Sequence, residues 1–188
     1  MDWQPIVEQI ESATGTTFKL INARPLVGGD INSTYCLQGT GQSYFVKLNR
    51  ADIIAMFVAE AAGLTELSLA RAVRVPLPVV YGKTEKQAFL VLEYIEFGSP
   101  NKQSARQFGQ QLALLHQQPQ AYFGWHRDNT IGSTPQPNIR NDDWITFWRN
   151  QRLQYQLDLA AKKGHQGHLQ NIGRELSNQL KGFFVGYN

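Results

Sequence analysis

One cysteine, Cys36, occurs among 188 residues, which excludes an internal disulfide and the stapled scaffold of small extracellular domains. No second cysteine exists to complete a zinc cluster. Long apolar runs are also missing: the longest, Ile53 to Ala59, ends at Glu60. The N-terminal Met1-Asp2-Trp3-Gln4-Pro5 has no basic segment leading into an apolar one. No signal peptide or membrane span is therefore expected, and the expected location is cytoplasmic. Charge is sparse, with 18% Asp, Glu, Lys and Arg, too little for a disordered polyelectrolyte. The net charge of +3 comes from basic residues scattered along the chain, so no nucleic-acid partner is expected. G-x4-G-K-[ST] is absent, which removes support for a P-loop NTPase. What is plentiful is apolar material: 42% hydrophobic residues, enough for the core of one domain or of two small lobes.

The periodicities alternate between two kinds. Trp3, Ile6, Val7 and Ile10 recur at helical spacing after Asp2, and Thr14-Gly15 stops that helix. Thr17–Ile21 and Gln42–Leu48 read as strands, and Val27–Leu37 as a glycine turn running into a strand. Gly39-Thr40-Gly41 forms the hairpin turn between the last two. A helical period returns over residues 52–70. Two further strands follow, Val73–Tyr81 and Ala88–Ile95, the first irregular or at an edge because of Pro76 and Pro78. At Phe97-Gly98-Ser99-Pro100 the composition turns from strand-like to helical, which sets the expected lobe boundary at 95/96. Beyond it, Ala105, Phe108, Leu112 and Leu115 share a helical face. Pro119 to Arg140 is a long polar loop, more in keeping with function than with mere connection. A helix is expected from a cap at Asn141 to Lys162-Lys163, with Gly164 past its end. A final helix carries Leu169, Ile172, Leu176 and Leu180.

Three weak signals converge on one chemistry. Adjacent Gly28 and Gly29 let backbone N–H groups approach an anion with no Cβ in the way, although a Gly-Gly turn is more often only a turn. Lys47 follows in a strand where Tyr44, Val46 and Leu48 alternate with Phe45 and Lys47; such a lysine usually points to solvent. Glu60 sits amid an apolar helical stripe of Ile53, Met56, Phe57, Leu64 and Leu67. Desolvating its carboxylate without a cation is costly. Either Glu60 snorkels from a helix edge or something basic meets it, and Lys47 is the nearest candidate. A Lys–Glu pair joining a sheet to a helix is the arrangement that holds a lysine on ATP phosphates. The strand Phe89–Ile95 then ends where its backbone can meet an adenine edge.

With these elements in order, the sequence resembles the kinase-like phosphotransferases and, within them, the fructosamine kinase (ketosamine 3-kinase) family. The resemblance rests on Gly28-Gly29-Asp30-Ile31-Asn32, Phe45-Val46-Lys47, Ala59-Glu60-Ala61, Leu90-Val91-Leu92-Glu93-Tyr94 and Leu112–His116. Its most specific part is Phe123-Gly124-Trp125-His126-Arg127-Asp128-Asn129-Thr130 through Asn138, followed by Trp144, Phe147 and Gln151-Arg152-Leu153. The resemblance implies an α+β, protein-kinase-like fold in two lobes. Residues 1–95 would form an antiparallel-sheet nucleotide-binding lobe, and residues 96–188 the first part of a helical one. It implies ATP and Mg2+ as cofactors and phosphorylation of a sugar hydroxyl on a small-molecule or protein-bound ketosamine. By the same analogy Gly28, Gly29 and Asn32 cover the triphosphate, Lys47 holds it, Glu60 orients Lys47, and Glu93, Tyr94 and Ile95 meet adenine. Trp125, His126, Asp128 and Asn129 are candidates for a sugar pocket, a packed surface loop being the other reading.

Two departures qualify the analogy. The family's His-Gly-Asp loop and later metal-binding Asp are expected beyond Phe183-Phe184-Val185, and neither His-Gly-Asp nor Asp-Pro-Ala occurs in the 188 residues. The expectation is a fragment or truncated product, with no catalytic base or metal ligand of its own and a tendency to self-associate. Some relatives carry a cysteine where this chain has Asp30; Cys36 lies farther along and reads as a small buried hydrophobe. His165 and His168, flanked by Gly164 and Gly167, do not make a convincing zinc site, and His116, Trp144 and Trp148 read as packing residues. The alternatives to a ketosamine kinase are a kinase for another small alcohol, such as choline or an aminoglycoside, and a non-catalytic nucleotide-binding module.

Overall fold

The computed structural model describes residues 1–29 and 31–185. Asp30 of the glycine-turn motif and the terminal residues 186–188 lie outside them. By packing, the chain divides into two compact units, Met1–Gln118 and Pro119–Asn188. The composition break at Phe97–Pro100 lies inside the first.

Helix α1 (Gln4–Thr14) opens the first unit, with Pro5 in its first turn and Gly15 closing it at φ 68°. Five strands follow: β1 (Leu20–Leu26), β2 (Ser33–Gly39), β3 (Ser43–Arg50), β4 (Pro78–Lys83) and β5 (Gln87–Glu93). They form one antiparallel sheet in the order β1-β2-β3-β5-β4. Strand β1 starts later than the expected Thr17 for a local reason. The Phe18 amide donates to Glu11 Oε1 at 2.7 Å and the Phe18 ring is buried in the core, so this stretch belongs to α1. Both prolines of the expected fourth strand act as anticipated, since β4 begins only at Pro78 and forms a sheet edge.

Period-two alternation gives the sheet two apolar faces. On one, Tyr44, Val46, Leu48, Phe89 and Val91 pack with Ile6, Val7 and Ile10 of α1. On the other, Ala88, Leu90 and Leu92 pack with Phe57 and Ala61 of helix α2 (Ile54–Leu69), beside Phe45. Phe57 is wholly buried. Phe57→Ala is expected to lower the unfolding free energy by about 3–5 kcal/mol, the cost of lost transfer plus a cavity, read from denaturant unfolding. Helix α3 (Lys102–His116) ends the unit, started by a reciprocal capping box between Asn101 and Ser104. No α3 residue is buried, and Phe108 is 55% exposed.

The second unit begins with the loop whose length stood out. It contains a small hairpin, β6 (Asn129–Ile131) and β7 (Thr134–Gln136), and a two-bond bridge between Phe123 and Asn141. That bridge keeps Asn141 extended, so the helix cap is not Asn141 but Asp143, whose carboxylate accepts from Thr146 N at 2.7 Å. The expected single helix is three consecutive segments: α4 (Trp144–Trp148), a π-helical turn (Arg149–Gln154) and α5 (Tyr155–Lys162). Helix α6 (His168–Phe183) packs on α5 where Gly173 leaves room; a Cβ there would meet Leu157 at 2.5 Å.

The Asp143 cap carries a pH signature. Hydrogen bonds from the Thr146 side chain and backbone hold its carboxyl below the usual value. Its stabilisation of α4 is therefore present above the ordinary carboxylate range and is lost as pH falls through the depressed folded value. In an acid titration followed by circular dichroism, Asp143→Ala is expected to lose that part of the slope.

Candidate active site

The two periodicities that build the first unit also build its cleft. On β3, Lys47 occupies the same face as Phe45 and lies opposite Leu90 of β5, so its side chain is directed toward α2 rather than into the α1 core. One turn after Phe57, α2 presents Glu60. Lys47 Nζ donates to both carboxylate oxygens, at 2.7 and 3.0 Å, with the two side chains 22% and 29% exposed. Glu60 neither snorkels away nor sits unpaired, and Lys47 does not simply point to solvent. The bidentate grip fixes the ammonium while leaving it partly open, and the remaining Nζ–H can face an anion.

The pair opens into a cavity of about 840 Å³. Its walls are apolar, from Leu26, Phe45, Leu64 and Leu92, with Gly28 at the turn and Glu93-Tyr94-Ile95 at the end of β5. Gly28 and Gly29 both have positive φ, 127° and 93°, and nothing lies within 4 Å of a Cβ built on Gly28. The turn is braced by Thr34, whose hydroxyl donates to Leu26 O at 3.1 Å and Gly28 O at 3.3 Å. Of the residues expected here, Gly28, Lys47, Glu60, Glu93, Tyr94 and Ile95 line the one cavity. Gly29 and Asn32 do not: Asn32 Oδ1 accepts from Asn49 Nδ2 at 2.8 Å, which ties the turn to β3.

Glu93 is engaged on two sides. Its backbone amide donates to Leu77 O at 2.9 Å, and its carboxylate accepts from Arg74 Nη2 at 2.5 Å. The residue anchors the strand end through its amide and its carboxylate. Sequence reasoning also missed Arg24, Arg74 and Phe97 at the rim. Arg24 Nη2 donates to Tyr94 OH at 3.4 Å, and Phe97 is 96% exposed. Exposed cations and a lone exposed ring carry no periodic signal, so only the fold reveals them.

An adenine nucleotide fits this donor set: flat apolar walls for a base, a turn without Cβ obstruction, and a fixed ammonium for phosphate. Among the described residues no group of three His, Cys, Asp or Glu is placed to hold a metal ion.

In the second unit, Trp125, His126 and Asp128 line a separate pocket. Asn129 is not in its lining; its Oδ1 accepts from Gln136 Nε2 at 2.9 Å and Asn138 Nδ2 at 2.8 Å. Asn138, quoted above only as the end of a motif, is buried and bonded through every polar group it has. No helix among the described residues is long and apolar enough to cross a membrane.

Comparison with known proteins sets these features in a family. The family model described as fructosamine kinase matches residues 2–185. The "Probable ketoamine kinase slr1563" of Synechocystis sp. is 47% identical over 162 residues, covering 86% of this chain and 55% of that protein. The chloroplastic protein-ribulosamine 3-kinase of Oryza sativa subsp. japonica is 36% identical over 176 residues, covering 92% of this chain and 51% of the relative. A crystal structure described as a candidate fructosamine-3-kinase, from Haemophilus somnus, superposes with TM-score 0.86 at 27% identity, over 95% of this chain and 61% of that one. The chain thus spans about half the length of the curated relatives it matches. The mixed α and β, kinase-like fold expected from the motifs stands, and the chain belongs to the fructosamine kinase family.

Proposed function

We propose that the first unit binds ATP in the Lys47–Glu60 cleft, and that the chain forms part of a kinase acting on a sugar hydroxyl of a ketosamine. The observation that carries this reading is the bidentate Lys47–Glu60 pair beside the Gly28 turn. Leu26, Phe45, Leu64 and Leu92 enclose the base, and the Ile95 backbone hydrogen-bonds its edge. Lys47 holds the phosphates, and Glu60 keeps the ammonium aimed at them. Bound ATP would supply the phosphoryl group. These residues would act by position and charge, the terms that dominate phosphoryl transfer. Trp125, His126 and Asp128 are assigned to the ketosamine.

His-Gly-Asp does not occur in the 188 residues, and among those described no group of three His, Cys, Asp or Glu is placed to hold a metal ion. We assign nucleotide and sugar-amine binding to these residues. The alternative reading is a nucleotide-binding module. The test is to read the gene past codon 188 and assay its full product with ATP and fructosyl-glycine. ATP-dependent phosphorylation of the sugar supports the kinase reading. Absence of the loop together with retained ATP binding supports the module, and preferential phosphorylation of choline or an aminoglycoside would overturn the substrate assignment.

A further inference from the structure

The pocket of the second unit has a volume of about 570 Å³, within the range of small-molecule sites. Its frame is rigid by construction. Asn138 N donates to Asp128 Oδ1 at 2.8 Å, and its side chain joins Arg127 O, Asn129 Oδ1 and Arg152 Nη2. Gly124 has φ 114°, and a Cβ there would lie 2.7 Å from Asn138 O, so the two sides of the loop approach more closely than a side chain permits.

Around that frame stand groups the frame does not use. The Arg140 guanidinium lies 4.6 Å from the centroid of the Tyr122 ring, and that of Arg127 lies 5.8 Å from the centroid of Trp125. Stacking of this kind leaves guanidinium N–H edges available to a planar anion. Arg127 donates through Nε to His126 Nε2 at 3.0 Å, and among the described residues no carboxylate pairs with it. Arg140 reaches Asp142 only at 3.6 Å, with both side chains mostly exposed. Asp128, the one carboxylate in the lining, already accepts from Asn138. Two cationic forks thus face the pocket against a single committed carboxylate. Ile139, 66% exposed, and the aromatic rings add apolar surface. The complementary ligand has a carboxylate head on a body with C–H faces, because a carboxylate matches the guanidinium fork bidentately.

We propose that this pocket recognises ketosamines of free amino acids, with Arg127 and Arg140 reading the amino-acid carboxylate and the ring of Trp125 or Tyr122 meeting the sugar. The proposal rests on the ketosamine reading above and narrows it. A ketosamine on a residue inside a protein has its α-carboxylate locked in a peptide bond and would lack this contact.

The test is a titration of the 188-residue chain with fructosyl-glycine and with its decarboxylated counterpart, N-methyl-fructosamine, by ligand-observed NMR and calorimetry. Fructosyl-glycine is expected to bind about tenfold more tightly, the scale of one charge-assisted bidentate contact. Arg127→Ala and Arg140→Ala should each shrink that preference. Arg127→Lys, which keeps the charge and loses the fork, should retain only part of it. Thermal melts check that each variant is folded. Equal affinity for the two compounds, a preference untouched in both alanine variants, or equal competition by inorganic phosphate as a bare anion would overturn the proposal. Failure of both ketosamines to bind while ATP still binds would overturn this site and leave the nucleotide reading standing. Retained carboxylate preference without ATP binding would do the reverse.

Discussion

Lys47→Met lowers the affinity of the chain for ATP by about ten- to a hundredfold while leaving the unfolding midpoint almost unchanged. The binding loss follows from removing the one ammonium that the cleft holds in fixed orientation, and charge-assisted contacts of this kind are worth about 1.5–3 kcal/mol. The stability effect is small because the pair is not sealed from water. With side-chain exposures of 22% and 29%, the orphaned Glu60 carboxylate can hydrate, so the loss should stay within about 1 kcal/mol. Calorimetric ATP titration beside a denaturant melt reads both quantities. Glu60→Gln separates holding from aiming: the ammonium remains, its bidentate restraint does not, and ATP affinity should fall less than in Lys47→Met. Equal affinity of Lys47→Met and the parent chain would take Lys47 out of the site.

The second large effect concerns stability instead of binding. Asn138→Ala is expected to destabilise the second unit by about 2–4 kcal/mol, although it removes only a few atoms. The lost side chain bridges Arg127 O at 3.1 Å, Asn129 Oδ1 at 2.8 Å and Arg152 Nη2 at 2.6 Å. Leaving such partners unsatisfied in a buried setting costs more than the bonds themselves contribute. Arg152 makes the case sharper: burial already pushes its guanidinium down from the usual value, and its other bonds run to the carbonyls of Pro137 and Gln151. Hydrogen exchange at the Trp125 and Asn141 amides, which donate to Asn138 O and Phe123 O, reports the opening locally. Unchanged protection there would mean that the loop stands without Asn138.

How much of this could be read from the chain itself depends on whether a residue sits in a periodic context. Glu60 was legible because a carboxylate breaks an apolar helical stripe, and the cost of burying it alone argues for a cation; Lys47, which by itself fits a half-buried strand, was legible only as the nearest partner. The strand ends were less legible. Glu11 claims the Phe18 amide from seven residues away, a contact that no local propensity encodes, and β1 starts later as a result. Asn138 was invisible in Pro135-Gln136-Pro137-Asn138, since a polar residue in a polar loop gives no sign of burial. The π-helical turn from Arg149 to Gln154 likewise lies within an unbroken helical pattern; the expected helix was there, but its backbone spacing was not. The helical face of Ala105, Phe108, Leu112 and Leu115 was read correctly as a periodicity, yet α3 buries none of it.

The claim on which the functional account turns is that ATP occupies the cleft between the Gly28 turn, the Lys47–Glu60 pair and the end of β5. The most direct measurement is an ATP titration of the isotopically labelled chain followed by NMR, with the Lys47 ammonium and the backbone amides of residues 26–29 and 93–97 as reporters. The account predicts saturable shifts concentrated on those groups. Absence of saturable binding, or shifts confined to residues outside the cleft while the Lys47 signal stays still, would contradict it.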